Sequence, residues 1–406
     1  MEKILCPLKG GGRMIQYMTL GYVCTEIIDC PHESPDWKSE GIAVIRNFNL
    51  VNGRIDMADG YYVDEETYKK RTRRAVPSAG DIIFSREAPI GNCAIVPENF
   101  RCCLGQRLVL LRVNHKICSS EYLLTVLQSS YVLKQIEQVS KRGSIVSNFA
   151  ISDLHDLVVP ILDNQVTIAA FSSSISEKIA NNTSICSTLE SMAKLIYDYW
   201  FVQFDFPDEN GKPYKSSGGK MVWSQELKRE IPEGWKSGYF RDMLDIGNGR
   251  DHKNLADGEI PVYGSGGLMR RVNTSLYTGE SVLIPRKGTL NNIIYVNEAF
   301  WTVDTMFYTK MKRKNIAKYM YYATKVYDFE KLNTGTGVPS MTTDIIYKLK
   351  VLIPSAPVLE HFDATVSSMY TAIKQYSEEN QQLASLRDFL LPMLMNGQVK
   401  VGKAGE

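Results

Sequence analysis

The feature that most constrains this chain is an internal repeat, in which the second half follows the plan of the first. The first half contains GDIIFSR from Gly80, GSIVSNFAISDL from Gly143, LVVP ending at Pro160, and then a long periodic segment. GESVLIPR, GTGVPSMTTDII and VLIP follow in the same order from Gly279, roughly 195 residues later, before a second periodic segment. A stacked solenoid needs at least about three short units. Two long copies instead predict two homologous globular domains, each followed by its own helix.

Length and composition set wider limits. A chain of 406 residues predicts two or three domains. Its net charge of +2 excludes a histone-like polycation, so any contact with nucleic acid has to come from local basic patches. No apolar stretch is long enough for a membrane span. The N-terminal segment MEKILCPLKGGGR has too short an apolar core for a secretory signal, so we expect a cytoplasmic protein. Eight scattered cysteines are then expected to be buried thiols.

The two periodic segments predict long helices, from about Gln165 to Phe201 and from about Leu359 to Met395. Apolar residues recur every 3.5 positions over five heptads, which is typical of a coiled coil and much longer than an ordinary core helix. In the first helix the predicted seams are Ile168, Ile175, Asn182, Leu189, Ile196 and Phe171, Lys178, Ile185, Met192, Tyr199. In the second they are Phe362, Met369, Tyr376, Leu383, Leu390 and Thr365, Ala372, Glu379, Leu386, Met393.

These seams match at an offset of 194, and a globular domain separates the helices in sequence. Symmetry therefore favours an antiparallel coiled coil between them. The apolar runs inside each domain are short and rich in β-formers, with helical patches between them, which predicts an α+β fold. We expect the first mixed α/β domain over 1–160, a helix over 161–206, a linker and the second domain over 207–355, and the last helix over 356–406.

Three segments carry a resemblance to a known family. LRDFLLPMLMNGQVKV, from Leu386 to Val401, is similar to the terminal conserved helix of type I restriction-modification specificity subunits. IYDYWFVQFDFP, from Ile196 to Pro207, resembles their central conserved region. IPEGWK, from Ile231 to Lys236, resembles the usual opening of a target-recognition domain, although no clear counterpart precedes Gly21 in the first domain.

The resemblance implies a DNA-recognition subunit that is not itself a catalyst. Each target-recognition domain would read one half of a bipartite site in double-stranded DNA. Two modification (methyltransferase) subunits and two restriction subunits would be the partners. S-adenosylmethionine, ATP and Mg would be bound by those partners, with no cofactor in this chain. The helical pair would set the unread gap between the two halves.

Basic residues in both repeats are the candidates for phosphate contact. The densest run, KKRTRR, lies among tyrosines in the first half, and Arg86 and Arg286 hold matching places after the two repeated strands. For one charge run alone, a solvated face is the simpler explanation. The candidate DNA-binding residues are Lys69, Lys70, Arg71, Arg73, Arg74, Arg86, Lys141, Arg142, Arg270, Arg271, Arg286 and Lys287. Weaker candidates for base contact are Asn47, Asn49, Arg250 and Asn291.

Large apolar residues cluster at the equivalent ends of the two helices. Trp200 and Phe201 end the first helix, and Leu394 and Met395 end the second. These side chains exceed what a small domain should need, which predicts that a partner's helices cover them. We therefore expect one modification subunit to dock at each end.

Other functions remain open at this point. The chain lacks the Asn/Asp-Pro-Pro-aromatic loop of an amino-methyltransferase. Asp208 with Glu226 and Lys228 has a spacing loosely like that of a metal-dependent nuclease, but Asp208 falls in a polar linker from Phe204 to Gly219. A coiled-coil scaffold without a DNA role is the main alternative.

Two further patterns are weak. Cys24, Cys30 and His32 lack a fourth zinc ligand at the usual spacing, so buried thiols are the better expectation. Gly335-Thr336-Gly337 has no following Lys-Ser/Thr and does not predict a phosphate-binding loop.

Overall fold

The computed structural model describes residues 4–7, 14–87, 89–140, 149–333, 339–396 and 398–399. The chain divides into two units: unit 1 is Met1–Ser184 with Tyr376–Glu406, and unit 2 is Ile185–Gln375. Because the division falls inside both long helices, each unit contains half of each helix.

Unit 1 is a mixed α/β domain. Its strands are β1 (Ile4–Pro7), β2 (Met14–Thr19), β3 (Cys24–Asp29), β4 (Ile42–Ile45), β5 (Leu50–Val51), β6 (Arg54–Ile55), β7 (Tyr61–Val63), β8 (Ile82–Ser85), β9 (Cys93–Ile95), β10 (Cys102–Leu104), β11 (Leu108–Val113) and β12 (Val158–Ile161). Its helices are α1 (Leu20–Val23), α2 (Glu65–Arg71), α3 (Ser120–Leu127), α4 (Ser130–Ser140), α5 (Ile151–Asp156) and the start of α6 (Gln165–Tyr197), with a 3-10 turn at Asn47–Asn49.

Three sheets build this unit, in the orders β3-β11-β8-β9, β10-β4-β7 and β1-β2-β12, beside the hairpin β5-β6. All four residues of β8 are buried, since the strand lies between two apolar layers. Side chains cap the N-termini of two helices. The Asp64 carboxylate accepts from Thr67 N at the start of α2, and the Ser119 hydroxyl accepts from Tyr122 N at the start of α3.

Unit 2 repeats this plan. A π-helical turn (Asp198–Val202) ends α6, and the strands are β13 (Met221–Ser224), β14 (Arg229–Pro232), β15 (Lys236–Tyr239), β16 (Leu244–Asn248), β17 (Asp257–Gly264), β18 (Gly267–Val272), β19 (Tyr277–Pro285), β20 (Ile294–Thr302), β21 (Met306–Met311) and β22 (Lys350–Ile353). The helices are α7 (Phe240–Met243), α8 (Ala317–Lys325), α9 (Thr343–Tyr347) and α10 (Ala356–Met395), whose second half belongs to unit 1.

Strand order confirms the internal repeat. The unit 2 sheet runs β16-β21-β19-β20-β17-β18. The strands of unit 1 follow the same order, divided between the sheets β3-β11-β8-β9 and β10-β4-β7. The single long strand β20 of unit 2 corresponds to both β9 and β10 of unit 1. Among the described strands each unit has one parallel pair, β4 with β10 and β17 with β20. The strand β2 pairs with β12 in the same way that β15 pairs with β22. β2 is therefore the counterpart in the first domain of the IPEGWK segment and the strand β15 that follows it, which the sequence alone did not identify.

Within each unit the long helices pack against each other in opposite directions. In unit 1 Ile168 belongs to the same buried cluster as Leu391 and Leu394. Fourteen residues later on α6, the Asn182 amide donates to Glu379 at 2.7 Å and to Asn380 at 2.9 Å. As the position on α6 advances from Ile168 to Asn182, the contacting position on α10 moves back towards its N-terminus. The two helices therefore run antiparallel, and that prediction is confirmed.

One of the two predicted seams is wrong by one residue on α6, whereas on α10 four of the five residues of the matching predicted seam, Thr365, Ala372, Glu379 and Met393, are half-buried. The seam through Ile168, Ile175 and Leu189 is buried or half-buried, but Ile185 and Met192 are exposed. The second buried line on α6 runs one residue later, through Ser172, Ile179, Cys186, Ala193 and Trp200. On α10 it runs through Val366, Ile373, Asn380, Arg387 and Leu394, while Leu386 is exposed. On α6 the sequence misled because the buried line is less apolar than the line beside it.

The linker from Phe204 to Gly219 folds onto unit 2. Phe206 stacks on Trp235 at 4.9 Å between ring centroids and on Tyr214 at 4.7 Å. The Asp205 carboxylate accepts from Ser216 N at 2.7 Å. These contacts hold the segment as an ordered part of the unit 2 core.

Candidate nucleic-acid interface

In each unit three loops converge at the end of the sheet where the parallel strand ends. We call this region the three-loop edge; in unit 1 it comprises residues 46–49, 86–87 and 105–107, and in unit 2 residues 264–267, 286–288 and 303–305. Loops of this kind, held by a rigid sheet, are where binding residues concentrate.

Matching backbone hydrogen bonds hold the three-loop edge of unit 1. Gly105 N donates to Ile45 O at 2.7 Å, and Arg86 N donates to Arg107 O at 2.9 Å. The Asn47 amide lies 3.5 Å from Glu87 O, and Glu87 pairs with the Arg107 guanidinium at 3.1 Å. The backbone of all three loops is therefore fixed.

Unit 2 builds its edge in the same way. Val303 N donates to Tyr263 O at 3.0 Å, and Arg286 N donates to Thr305 O at 2.8 Å. The Asn292 amide donates to Ser265 O at 2.8 Å, which ties the glycine-rich turn to the loop after β19. The equivalence follows from the shared strand order.

The basic run of unit 1 divides according to exposure. Lys69 and Lys70 are exposed on α2, where Lys70 Nζ lies 2.7 Å from Glu66 and Lys69 Nζ lies 4.0 Å from Glu65. Arg73 and Arg74 follow the helix and are exposed, with no ion pair among the described residues. These four side chains remain candidates for phosphate contact.

Arg71 is a correction to the prediction, because its side chain is buried. Its Nε and Nη2 donate to Leu104 O at 3.0 and 2.8 Å, and Nη1 donates to Glu33 O at 2.7 Å. A third carbonyl, of Pro31, accepts from Nη2 at 3.2 Å. The guanidinium thus donates to three backbone carbonyls that are distant in sequence, so it holds loops together and is not exposed for phosphate contact.

Arg86 is a second correction. It is buried, with Nε donating to Phe149 O at 2.7 Å and Nη1 bound to the Asp29 carboxylate at 2.9 Å. Its matching residue Arg286 is exposed beside Lys287 on the unit 2 edge. Equal positions in the repeat therefore carry a structural arginine in unit 1 and an accessible cation in unit 2.

The remaining unit 2 candidates lie on an edge strand. Arg270 on β18 binds Leu255 O at 2.6 Å and the Asp257 carboxylate at 3.2 Å. Arg271 donates to Glu259 O at 2.6 Å. Both guanidinium groups are half-buried and help to hold β18 beside the chain that precedes it.

One of the weaker base-reading candidates is also wrong. Asn49 is buried, its Oδ1 accepts from Arg46 N at 2.9 Å, and its amide donates to Asp56 O at 2.7 Å. Asn291 is exposed and stays a candidate; its amide donates to Asp328 at 3.1 Å and its Oδ1 accepts from Phe329 N at 2.8 Å. Lys141, Arg142 and Gly335-Thr336-Gly337 lie outside the described residues, as does part of the segment from Gly143.

Sequence reasoning missed Arg46, which follows β4 at the three-loop edge of unit 1. Its guanidinium carbon lies 4.6 Å from the Tyr61 ring centroid, 4.8 Å from that of Phe48 and 5.7 Å from that of Trp37. Trp37 and Phe48 are exposed. The only local signal was an Arg-Asn dipeptide that ends an apolar strand, and nothing local connects it with Trp37.

The predicted docking residues are a further correction. Trp200 and Phe201 are buried in the unit 2 core, where Phe201 contacts Tyr319 at 4.7 Å and Phe362 at 5.0 Å between ring centroids. Leu394 and Met395 are buried in the unit 1 core. Each domain covers these side chains itself.

Other apolar residues on the same helices are exposed. On α6 in unit 2, Leu195 is 66% exposed and Met192 45%. On α10 in unit 1, Phe389 is 65% exposed and Leu386 46%. Leu195 and Phe389 are 194 residues apart, and so are Met192 and Leu386. The repeat therefore places an apolar stripe on an exposed helix face of each unit. We call these the two outer stripes.

The thiols considered as zinc ligands are buried, and the carboxylates considered for a nuclease site bond to nearby parts of the chain. Cys24 and Cys30 are buried, and burial raises the pKa of Cys24 to about 12. Asp208 Oδ1 accepts from Asn210 N and Lys212 N, each at 2.8 Å, while Glu226 binds the Ser237 hydroxyl. Within the described ranges no three His, Cys, Asp or Glu side chains form a group that could hold a metal ion. Nor does any described helix combine the length and apolarity of a membrane span.

Comparison with known proteins points in one direction. The model of the type I restriction modification DNA specificity domain family matches residues 17–191 and 232–376, which together make up most of the chain. The MjaIX type I restriction enzyme specificity subunit of Methanocaldococcus jannaschii is 23% identical over 367 residues, covering 84% of this chain and 82% of that protein. The HindI specificity subunit of Haemophilus influenzae is 20% identical over 400 residues, covering 79% and 86%.

A solved structure shares the fold. The crystal structure of the type I restriction-modification system S subunit from M. genitalium matches with a TM-score of 0.54 and 18% sequence identity. The match covers 95% of this chain and 97% of that one.

Proposed function

Since this chain belongs to the type I restriction modification DNA specificity family, we propose that it is the sequence-reading subunit of a type I restriction-modification complex. Each unit reads one half of a bipartite DNA site. Modification subunits then methylate the site, and restriction subunits cleave DNA that lacks the mark. S-adenosylmethionine, ATP and Mg are bound by those partners, and this chain carries no catalytic step.

The duplicated three-loop edge is the observation that carries this proposal. Two sheets of one topology present their loops in the same arrangement, but the side chains on the loops differ. Unit 2 has the exposed Arg286 and Lys287 at this edge, whereas unit 1 has the half-buried Arg46 and the exposed Arg107. One scaffold with different loop residues is what two different half-sites require.

The test changes one edge and leaves the other intact. In the complex with modification subunits, we expect Arg286→Ala with Lys287→Ala to weaken DNA binding and to alter the unit 2 half of the methylated motif only. Arg313→Ala with Lys314→Ala is the matched control, because these exposed cations follow the far end of β21. Genome-wide mapping of methylated sites reads out both. A wild-type complex that methylates no defined motif would refute the proposed function.

The two outer stripes support two docking sites for modification subunits. An apolar stripe on an exposed helix favours a partner helix that covers it. Two apolar stripes at repeat-equivalent positions favour two copies of one partner. This assigns the docking to Met192 and Leu195, and to Leu386 and Phe389, instead of the buried helix ends.

Charged substitutions test the docking assignment. Leu195→Asp and Phe389→Asp should each lower the number of modification subunits per chain from two to one, and together they should abolish the complex. Ser191→Asp and Ser385→Asp are matched controls, since both residues are exposed on the same helices and are also separated by 194 residues. Native mass spectrometry counts the subunits. Two bound subunits in the double variant would contradict the assignment.

A further inference from the structure

We propose that Arg46 reads a guanine in the half-site bound by unit 1, and that Trp37, Phe48 and Tyr61 are positioning residues that orient its guanidinium. This inference rests on the proposed function. It adds a specific contact, made by a residue that the basic runs of the sequence did not indicate.

The aromatic side chains form a platform around the guanidinium. Trp37 and Tyr61 meet edge to face at 4.9 Å between ring centroids, and Phe48 meets Tyr61 at 5.8 Å. The guanidinium carbon lies within 6 Å of all three ring centroids. Such contacts attract a cation and restrict its rotamers. A planar group held by ring faces keeps its N–H donors available at the edges.

The backbone beneath Arg46 is fixed on both sides. Ile45 pairs with Leu104 across the parallel strands, and its carbonyl accepts from Gly105 N at 2.7 Å. On the other side Arg46 N donates to the side-chain Oδ1 of the buried Asn49 at 2.9 Å. Little conformational entropy is then left to lose when Arg46 binds a ligand, which favours affinity.

Charge distinguishes Arg46 from the other stacked arginine of unit 1. Arg101 also lies over a ring, 4.3 Å from the Tyr68 centroid, but its Nη2 is bound to Glu65 at 2.8 Å. Among the described residues no carboxylate pairs with Arg46. A cation that is oriented but not neutralised, and that is flanked by two exposed aromatic rings, is suited to an electron-rich partner.

Guanine fits this group better than a phosphate alone does. Two parallel N–H donors match the O6 and N7 acceptors that guanine presents in the major groove, and this is the commonest specific arginine contact with DNA. Phosphate contact needs only a flexible cation, which Arg73 and Arg74 already provide. The rigid platform is therefore better explained by base discrimination.

Unit 2 has a glycine at the position that Arg46 holds in unit 1. In its parallel strand pair Tyr263 lies opposite Thr302 as Ile45 lies opposite Leu104, so Gly264 takes the place of Arg46. A glycine contributes no side chain, and the turn around it carries Ser265, Gly266 and Gly267. The predicted guanine contact therefore belongs to one half-site only.

The experiment uses the full chain in complex with its modification subunits. We compare the methylated motifs of wild type, Arg46→Ala, Arg46→Lys and the control Arg101→Ala across one genome. We expect Arg46→Ala to make one guanine position in one half-site degenerate, with a loss of discrimination of roughly tenfold or more. Arg46→Lys keeps the charge but lacks the two-donor fork, so it should relax the same position. Arg101→Ala should keep the wild-type motif.

Other outcomes overturn the inference in distinct ways. Wild-type motifs in both Arg46 variants would refute the guanine contact and leave the proposed function standing. Relaxation in Arg46→Ala but not in Arg46→Lys would assign a phosphate or packing role to Arg46. Trp37→Ala provides a second check, because loss of one ring should weaken discrimination at the same position without creating a new preference. A changed preference in the other half-site would refute the assignment to unit 1.

Discussion

At the scale of single residues, burial divides arginines that the sequence presents as one run. Arg71 and Arg74 are three positions apart in KKRTRR, yet one is enclosed by backbone carbonyls and the other is exposed. The difference arises because α2 ends at Arg71 with that side chain facing the core. Their substitution should therefore have opposite consequences for stability and for DNA binding.

We predict that Arg71→Ala lowers the free energy of unfolding by about 3 kcal/mol, because it removes the buried hydrogen bonds to Leu104 O and the part-buried bond to Glu33 O. Arg74→Ala should leave stability unchanged within about 0.5 kcal/mol. If Arg74 contacts a phosphate, its removal should reduce the slope of log affinity against log salt by about 0.9. Urea unfolding and salt titration measure the two effects. Equal stability of the two variants would contradict the structural role of Arg71.

Alkaline pH should destabilise the protein through its buried thiols. Burial raises the pKa of Cys93 to about 12, from an ordinary value of 9.0. The folded thiol stays neutral while the unfolded thiol ionises, so this contribution to stability is complete below pH 9 and is lost as pH rises towards 12. Urea midpoints at pH 8 and pH 10.5 should fall less in Cys93→Ala than in wild type. Identical falls would show that the thiol does not contribute.

At the scale of elements, the long helices show how a correct period can yield an incorrect face. Five heptads were recognisable, but an apolar line through Ile185 and Met192 lies beside the true line through Ile179, Cys186 and Ala193. The more apolar line remains exposed and includes part of an outer stripe. Apolar residues on a helix can face a partner as well as a core, and periodicity does not distinguish the two.

Two isoleucines of α6 test the corrected seam. Ile179→Ala removes a buried side chain and should cost about 2 kcal/mol or more. Ile185→Ala removes an exposed side chain and should cost about 0.5 kcal/mol or less. The pair is matched in residue type and in helix. Chemical denaturation of both variants is the measurement, and a larger loss at Ile185 would support the seam inferred from sequence.

At the scale of the whole molecule, both long helices contribute residues to both units. In unit 1 Asn182 meets Glu379 and Asn380, which identifies the segments that face each other. The polar contact lies within two facing segments of one heptad each, Glu177–Thr183 on α6 and Ser377–Leu383 on α10. Their joint removal keeps every remaining seam residue opposite its present partner.

Under the proposed function, this double deletion should shorten the unread gap in the methylated motif. Seven residues at 1.5 Å each are about 10 Å, or about three base pairs. The shortened protein should also bind less tightly, because three base pairs turn the duplex by part of a helical turn. Mapping of methylated sites gives the gap length, and removal of Glu177–Thr183 alone, which breaks the pairing, is the control. An unchanged gap with full activity would rule out helix length as its determinant.

What the sequence determined by itself is local or repetitive. Residue order and periodicity were enough to predict two copies of one domain plan, an α+β class and two long helices that begin at or near Gln165 and Leu359. Residue order also carried the resemblance to specificity subunits. These features need no knowledge of which residues meet across the fold. The same information was sufficient for the function, because the family motifs lie in continuous segments.

The tertiary structure alone decided which side chains are available. Burial of Arg71, Arg86, Trp200 and Leu394 depends on carbonyls and rings that are distant in sequence, so a run or a helix end cannot disclose it. The platform around Arg46 joins Trp37, Phe48 and Tyr61 only because β4 and β7 are neighbours in one sheet. Long-range pairing created that group, and for the same reason it removed several predicted residues from the candidate DNA interface.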